Sequence, residues 1–187
     1  MNKRFGRFAL LGALAAALAA CQSVNTARLN NVKETEITKN HALIFCAGPS
    51  HCEFERLDQL TVIDADRHQV QRGAIKAGIV RLSGHSLSEP NPVYLSVPPG
   101  QHEVVIRFYP ISQDKAESLH VIHNFRPKQA YSFNMYRDRS KRQGSLLNVS
   151  APDPLCVDLM QEKKIIRRFC KPYNVLNGLG EFVEKKL

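Results

Sequence analysis

Four consecutive segments of the chain alternate apolar and polar residues with a period of two. Val93, Leu95 and Val97 alternate with Tyr94 and Ser96 ahead of the breaker Pro98-Pro99-Gly100. His102, Val104, Ile106 and Phe108 then alternate with Glu103, Val105, Arg107 and Tyr109. Leu119, Val121 and Phe125 share a face of the next run, and Tyr131, Phe133 and Met135 a face of the one after. Successive side chains of a strand point to opposite faces, so these runs predict an antiparallel sheet with one buried side. Further strands are predicted at 42–46, 54–63, 75–82 and 146–149, and in a hairpin about Lys163. The chain has no long amphipathic helix. The fold class is therefore all-β, an antiparallel β-sandwich of about eight or nine short strands whose apolar faces bury each other. Past Cys170, Val175, Leu176, Leu179, Phe182 and Val183 recur at roughly helical spacing, interrupted by Gly178 and Gly180. They predict a short C-terminal helix or tail that covers an open end of the sandwich or docks a partner.

The N-terminal segment is of a different kind. Lys3, Arg4 and Arg7 precede an apolar run, 8–20, which falls short of the roughly 20 residues that span a bilayer and ends in small residues. This is the pattern of a signal peptide, 1–20, that processing removes. Leu18-Ala19-Ala20-Cys21 resembles the lipobox of bacterial lipoproteins, in which a dedicated peptidase cuts before a diacylated cysteine and the new amino group takes a third chain. The resemblance implies that Cys21 carries palmitate-type acyl chains, and two or three such chains anchor a protein stably where one does not. Gln22 stands where an Asp would imply retention at the inner membrane, so the same resemblance implies the outer membrane, with the domain facing the periplasm. Residues 21–40 then form the lipidated cysteine and a flexible linker, and 41–187 a single sandwich domain. The competing reading is an ordinary signal peptide cut after Ala20.

Four further cysteines, Cys46, Cys52, Cys156 and Cys170, allow three disulfide pairings in an oxidising compartment. Strand-like runs on either side of 47–51 place Cys46 opposite Cys52 in a hairpin about Pro49, and runs flanking 161–163 place Cys156 opposite Cys170 about Lys163. A Cys/His metal site including His51 is the alternative, but the spacing C-x-x-C is missing.

The stretch Tyr94-Leu95-Ser96-Val97-Pro98-Pro99-Gly100-Gln101-His102-Glu103-Val104 resembles the strand, Pro-Gly turn and His-x-Val strand of PEGA-like and DUF2846-like bacterial lipoprotein domains. Those families are small transthyretin-type β-sandwiches, mostly without known catalysis, and the resemblance covers about 41–138. It implies a small β-sandwich of that type.

Catalytic motifs are missing: there is no G-x-S-x-G, H-E-x-x-H, G-x-G-x-x-G or phosphate-cradling glycine loop. His120 and His123 lie three apart on a strand and so face opposite ways, which argues against a shared metal. Asp64 and Asp66 share a face, as a cation or acid/base pair or as a solvated turn. The expectation is a non-enzymatic, outer-membrane-tethered binding or scaffold module of the cell envelope, with no catalytic residue, metal or cofactor. The alternative is a small hydrolase or cell-wall-modifying enzyme built from loop residues such as His85, His102 and Asp114.

Charge supplies the candidate binding residues. The excess of 26 Lys+Arg over 17 Asp+Glu is concentrated in two places: Arg137, Arg139, Lys141 and Arg142 follow one strand, and Lys163, Lys164, Arg167 and Arg168 crowd the second cysteine hairpin. If the two patches adjoin, they suit an acidic envelope protein, a glycan or anionic headgroups. Protection of exposed strand edges is the competing use of such residues. Nucleic acid is not an expected partner in this compartment.

Overall fold

A computed structural model describes residues 26–48, 51–83, 91–112, 114–139, 153–171 and 180–187. The alternating runs form strands β1 (Ala42–Ala47), β2 (His51–Leu57), β3 (Leu60–Thr61), β4 (Val80–Leu82), β5 (Val93–Val97) and β6 (Gly100–Tyr109). They continue as β7 (Glu117–Phe125), β8 (Ala130–Arg137), β9 (Leu155–Gln161), β10 (Lys164–Lys171) and β11 (Val183–Lys185). One sheet has seven strands in the order β11-β10-β9-β8-β1-β5-β4, and the other four in the order β3-β2-β6-β7. The fold is an all-β sandwich. Phe54, Ile106, Phe108 and Phe125 of the small sheet and Ile44, Leu95, Phe133 and Leu159 of the large one are at most 1% exposed and share one core.

Two expected strands are interrupted. The run 54–63 turns back at Asp58, whose φ of +50° reverses the chain so that β3 pairs with β2 through Leu57↔Leu60. In the run 75–82 only Val80–Leu82 is extended, because Arg72–Lys76 is a short helix that buries Ala74 and Ile75. Gly78, at φ +69°, adopts the left-handed conformation that ends it and donates its N–H to Ile75 O. The large sheet is mixed: β1 is antiparallel to β5 but parallel to β8, with Ile44↔Tyr131 and Cys46↔Phe133 in register. Gly48 then leaves β1 so close to β8 that a Cβ would lie 2.8 Å from Asn134 Oδ1.

Both disulfides have the expected partners, and they differ in architecture. Cys46–Cys52, with its Cα atoms 6.2 Å apart, does not cross a hairpin ladder. β1 belongs to the seven-stranded sheet and β2 to the four-stranded one, so the bond joins the two sheets. Each strand is half-buried and must turn its apolar face to the core, which two facing sheets achieve for both at once. Cys156–Cys170 is a true cross-strand pair with Cα atoms 4.1 Å apart. Its register needs a bulge. Glu162 and Lys163, at φ +47° and +70°, form a two-residue turn that starts the ladder at Gln161↔Lys164, and this register leads Cys156 to Phe169. The shift between Ile165 and Arg167 moves the pairing by one, so that Cys170 faces Cys156.

The ends of the chain are tied in more closely than expected. Residues 26–30 are helical, Leu29 is 3% exposed within the core and Val32 packs on it, so much of the expected linker belongs to the folded body. Val183, expected in a helix, lies instead in edge strand β11 with Val183 opposite Cys170, and Phe182 packs against the core. The predicted strand 146–149 and Val175, Leu176, Gly178 and Leu179 lie outside the described residues.

Deleting Ile166 removes the extra residue of the bulge and lets Arg167 follow Ile165 directly, which keeps Arg167 opposite Leu159 and Cys170 opposite Cys156. The deletion variant should therefore keep Cys156 and Cys170 bonded and release no thiol from them to maleimide after denaturation without reductant, as in the parent, and two free thiols would show that the bulge does not lie at Ile166. Replacing Cys46 and Cys52 together by Ser should lower stability by about 2 kcal/mol, read from the denaturant midpoint, because their loop is short.

Candidate functional site

Arg137 of the first basic patch and the Lys163-Lys164 tip of the second lie at opposite ends of their strands. Arg137 pairs with Leu155 at one end of β8 and β9, whereas Lys164 pairs with Gln161, which faces Tyr131 at the other. Six residues of strand separate these ends, about 20 Å. Arg137 donates from Nη1 to Asp153 O at 3.1 Å, and the largely exposed Arg139 lies 3.8 Å from the Asp153 carboxylate. Lys141, Arg142, Cys21 and His85 lie outside the described residues.

Within the hairpin the four cations divide into two pairs. Lys163 and Lys164 are exposed at the tip, and the turn carrying them is held to β8 by Ala130 N–H donating to Glu162 Oε1 at 2.7 Å. Arg167 and Arg168 are engaged within the fold. Arg167 donates from Nε and Nη2 to the Glu184 carboxylate, both at 2.7 Å, and from Nη1 to Ile122 O at 2.7 Å. It thereby ties β10 and β11 to β7, the edge strand of the small sheet. Lys171 adds a second tie to the same edge through Glu117. Arg168 makes a two-pronged pair with Asp158 at 2.7 and 2.8 Å and lies 5.7 Å from the centre of the Tyr136 ring. Both guanidiniums are held above their ordinary pKa, first by the hydrogen bonds to those carboxylates. Edge protection accounts for Arg167, and only the tip remains available to a partner.

The outer face of the small sheet carries a polar cluster of another kind. Glu53 of β2 stands opposite Arg107 of β6, and His51 opposite Tyr109. Period-two alternation sends Phe54, Ile106 and Phe108 into the core and these four outward. Yet Glu53 is only 7% exposed and Arg107 5%, because 62–70 folds over them. Arg107 Nη2 donates to Ile63 O and Asp64 O, each at 3.3 Å, and an isolated bridge joins Ile63 to Val70. His68, at φ +52°, brings Nδ1 to 3.0 Å from Glu53 Oε2. Tyr109 donates its hydroxyl to the same oxygen at 2.9 Å, Arg107 Nη2 lies 3.2 Å from it, and His51 Nε2 is 3.4 Å from Oε1.

Burial pushes the Glu53 carboxyl up, but hydrogen bonds from His68 and Tyr109 and the charges of His68 and Arg107 outweigh it, leaving the pKa below its usual value. Tyr109 is pushed up to about 12 by burial and by the Glu53 carboxylate. A carboxylate so occupied is a poor general base, and a phenol with so high a pKa holds its proton. The cluster acts as a clasp that fastens 62–70 to the sheet.

The remaining candidates are also engaged in local structure. His102 places Nδ1 2.7 Å from Asp58 Oδ2 and Nε2 3.0 Å from Pro98 O, so both ring nitrogens face acceptors. Asp114 follows β6 in the loop at the far end of the β6/β7 hairpin, and does not converge with His102. Asp64 Oδ1 accepts the N–H groups of Asp66 and Arg67 at 3.0 and 2.9 Å, forming a turn. His120 is exposed, while His123, facing the other way, packs edge-on against Phe125 and Tyr131. No group of three or more His, Cys, Asp or Glu with metal-holding geometry occurs among the described residues.

Glu53, His68, Arg107 and Tyr109 are the residues that alternation alone did not single out. Opposite charges at outward positions of two strands were visible in the sequence, but the register that joins them was not. No family model, no curated protein and no solved structure matches the chain.

Glu53→Ala leaves the buried Arg107 with only the half-exposed Glu55 carboxylate, 3.7 Å from its Nε, and should cost about 3 kcal/mol. Tyr109→Phe, which removes one hydrogen bond to a charge, should cost about 2 kcal/mol. Because Glu53 titrates lower in the folded than in the unfolded chain, its contribution is complete above the ordinary value of 4.5 and is lost as pH falls through the folded value. Chemical denaturation followed from neutral pH downward should show this loss in the parent and a flatter profile in Glu53→Gln.

Proposed function

We propose that the chain is an outer-membrane lipoprotein, anchored through acylated Cys21 and facing the periplasm, whose sandwich serves as a non-enzymatic binding or scaffold module of the cell envelope. One observation carries this reading. Four of the five cysteines are paired with each other, so the odd thiol is Cys21, the residue that ends the lipobox-like Leu18-Ala19-Ala20-Cys21. Two disulfides in one small domain suit an oxidising compartment, and a lone thiol at that position suits acylation.

The packing of Leu29 shortens the tether. Between Cys21 and Thr26, the first described helical residue, five residues can reach at most about 18 Å, so the sandwich rides close to the bilayer. The surface offered to an acidic envelope protein or a glycan is the hairpin tip with Lys163 and Lys164, whose strands are cross-linked by Cys156–Cys170. A crosslinked hairpin presents its charges with little ordering left to lose on binding.

Labelling of growing cells with radioactive palmitate, followed by membrane density fractionation, tests the anchor. The native chain should take up label and sediment with the outer membrane. Cys21→Ser should remain an unlabelled, uncleaved precursor and lose that fraction, and equal labelling of the two would refute the proposal.

A further inference from the structure

Beside the first described turn lies a cavity of about 430 Å³ lined by Arg28, Asn31, Arg72, Ile75 and Lys76. Its volume falls in the roughly 300–1,000 Å³ range of small-molecule sites. Three of the five lining residues are cations and none is an acid. Arg28, Arg72 and Lys76 are all exposed, and none has a carboxylate partner among the described residues. This contrasts with the hairpin, where Arg167 and Arg168 are neutralised by Glu184 and Asp158. Both walls are fixed: Leu29, at 3% exposure, locks the turn carrying Arg28, and Ala74 and Ile75 bury the helix carrying Arg72 and Lys76. Three like charges brought together on rigid elements repel one another unless an anion lies between them.

We infer that this cavity binds the phosphate of an anionic phospholipid headgroup. The choice of a lipid rests on the membrane-anchored reading above. Arg28 is seven residues from Cys21, at most about 25 Å of chain, so an acylated Cys21 holds the cavity within headgroup reach. Arg28, Arg72 and Lys76 supply the charge and N–H donors for the phosphate oxygens, Asn31 can donate an amide hydrogen, and Ile75 provides apolar lining. The site orients the sandwich on the bilayer, which a flexible acyl tether alone leaves undetermined.

The test is native mass spectrometry of the full chain, isolated in a neutral detergent and titrated with phosphatidylglycerol, phosphatidylcholine or inorganic phosphate. The expected result is one phosphatidylglycerol adduct per chain, formed at lower lipid concentration than any phosphatidylcholine adduct. The variant Arg28→Gln/Arg72→Gln/Lys76→Gln should need roughly 100-fold more phosphatidylglycerol, and each single variant roughly fivefold more. All three side chains are exposed, so the variants should keep the parent melting temperature. Equal binding of the two lipids, or unchanged binding by the triple variant, overturns the inference. So does inorganic phosphate that displaces the lipid at comparable concentration, which marks a free-phosphate site. The same spectra report the acyl mass on Cys21. A chain without acyl mass that still selects phosphatidylglycerol refutes the lipoprotein reading and sustains the headgroup site, whereas an acylated chain indifferent to lipid charge does the reverse.

Discussion

Two sheets of unequal width, seven strands and four, have to be held face to face, and the chain does this first with a covalent bond. Cys46–Cys52 closes the passage from β1 to β2 at the point where the chain leaves one sheet for the other. With these strands facing each other, Ile44 and Phe54 lie on opposite walls of one core. The parallel pairing of β1 with β8 follows from the same crossing: β2 is committed to the opposite sheet, so the place beside β1 is filled by a strand from much later in the chain.

Charged side chains do the rest of the closing, and they do it where burial of apolar surface cannot. The edge strand β7 exposes backbone groups, and Arg167 covers one of them while its remaining donors hold Glu184 of β11. On the outer face of the same sheet, Glu53 and Arg107 are buried by a loop and compensate each other. A buried pair of this kind adds little net stability compared with an apolar pair, but removing either partner strands the other, so it makes the position of 62–70 unique. Cations serving these structural ends are unavailable for binding. Exposed cations include the Lys163-Lys164 tip, Arg139 at the opposite end and the cavity residues Arg28, Arg72 and Lys76.

This partition bears on function. A basic chain invites the assumption that its whole surface is attractive to anions, whereas here Arg167 and Arg168 are neutralised internally. The hairpin tip and the basic cavity are each local and carried on packed or cross-linked elements, a geometry suited to docking at defined points. The titratable groups that resemble catalytic machinery, Glu53 with its histidines and His102 with Asp58, have their donors and acceptors directed at the fold itself.

Alternation at 93–97, 102–109 and 119–135 determined the strands and the class of fold, because the period of side-chain direction is a local property of extended chain. The partners of the four cysteines were legible too, since short spacing brings Cys46 near Cys52, and a turn brings Cys156 near Cys170. Register and sheet membership were not. That β1 and β2 lie in different sheets, that the shift between Ile165 and Arg167 aligns Cys156 with Cys170, and that Glu162-Lys163 makes a tight turn without an Asn-Gly signature depend on contacts with other strands. The polar cluster and the basic cavity were hidden for the same reason. Glu53 meets His68 and Arg107, and Arg28 meets Arg72, across separations in sequence over which no periodicity carries information. Only the packing of the sheets and the docking of Leu29 bring those residues together, because long-range proximity is set by how apolar faces bury one another and not by the pattern within any single strand.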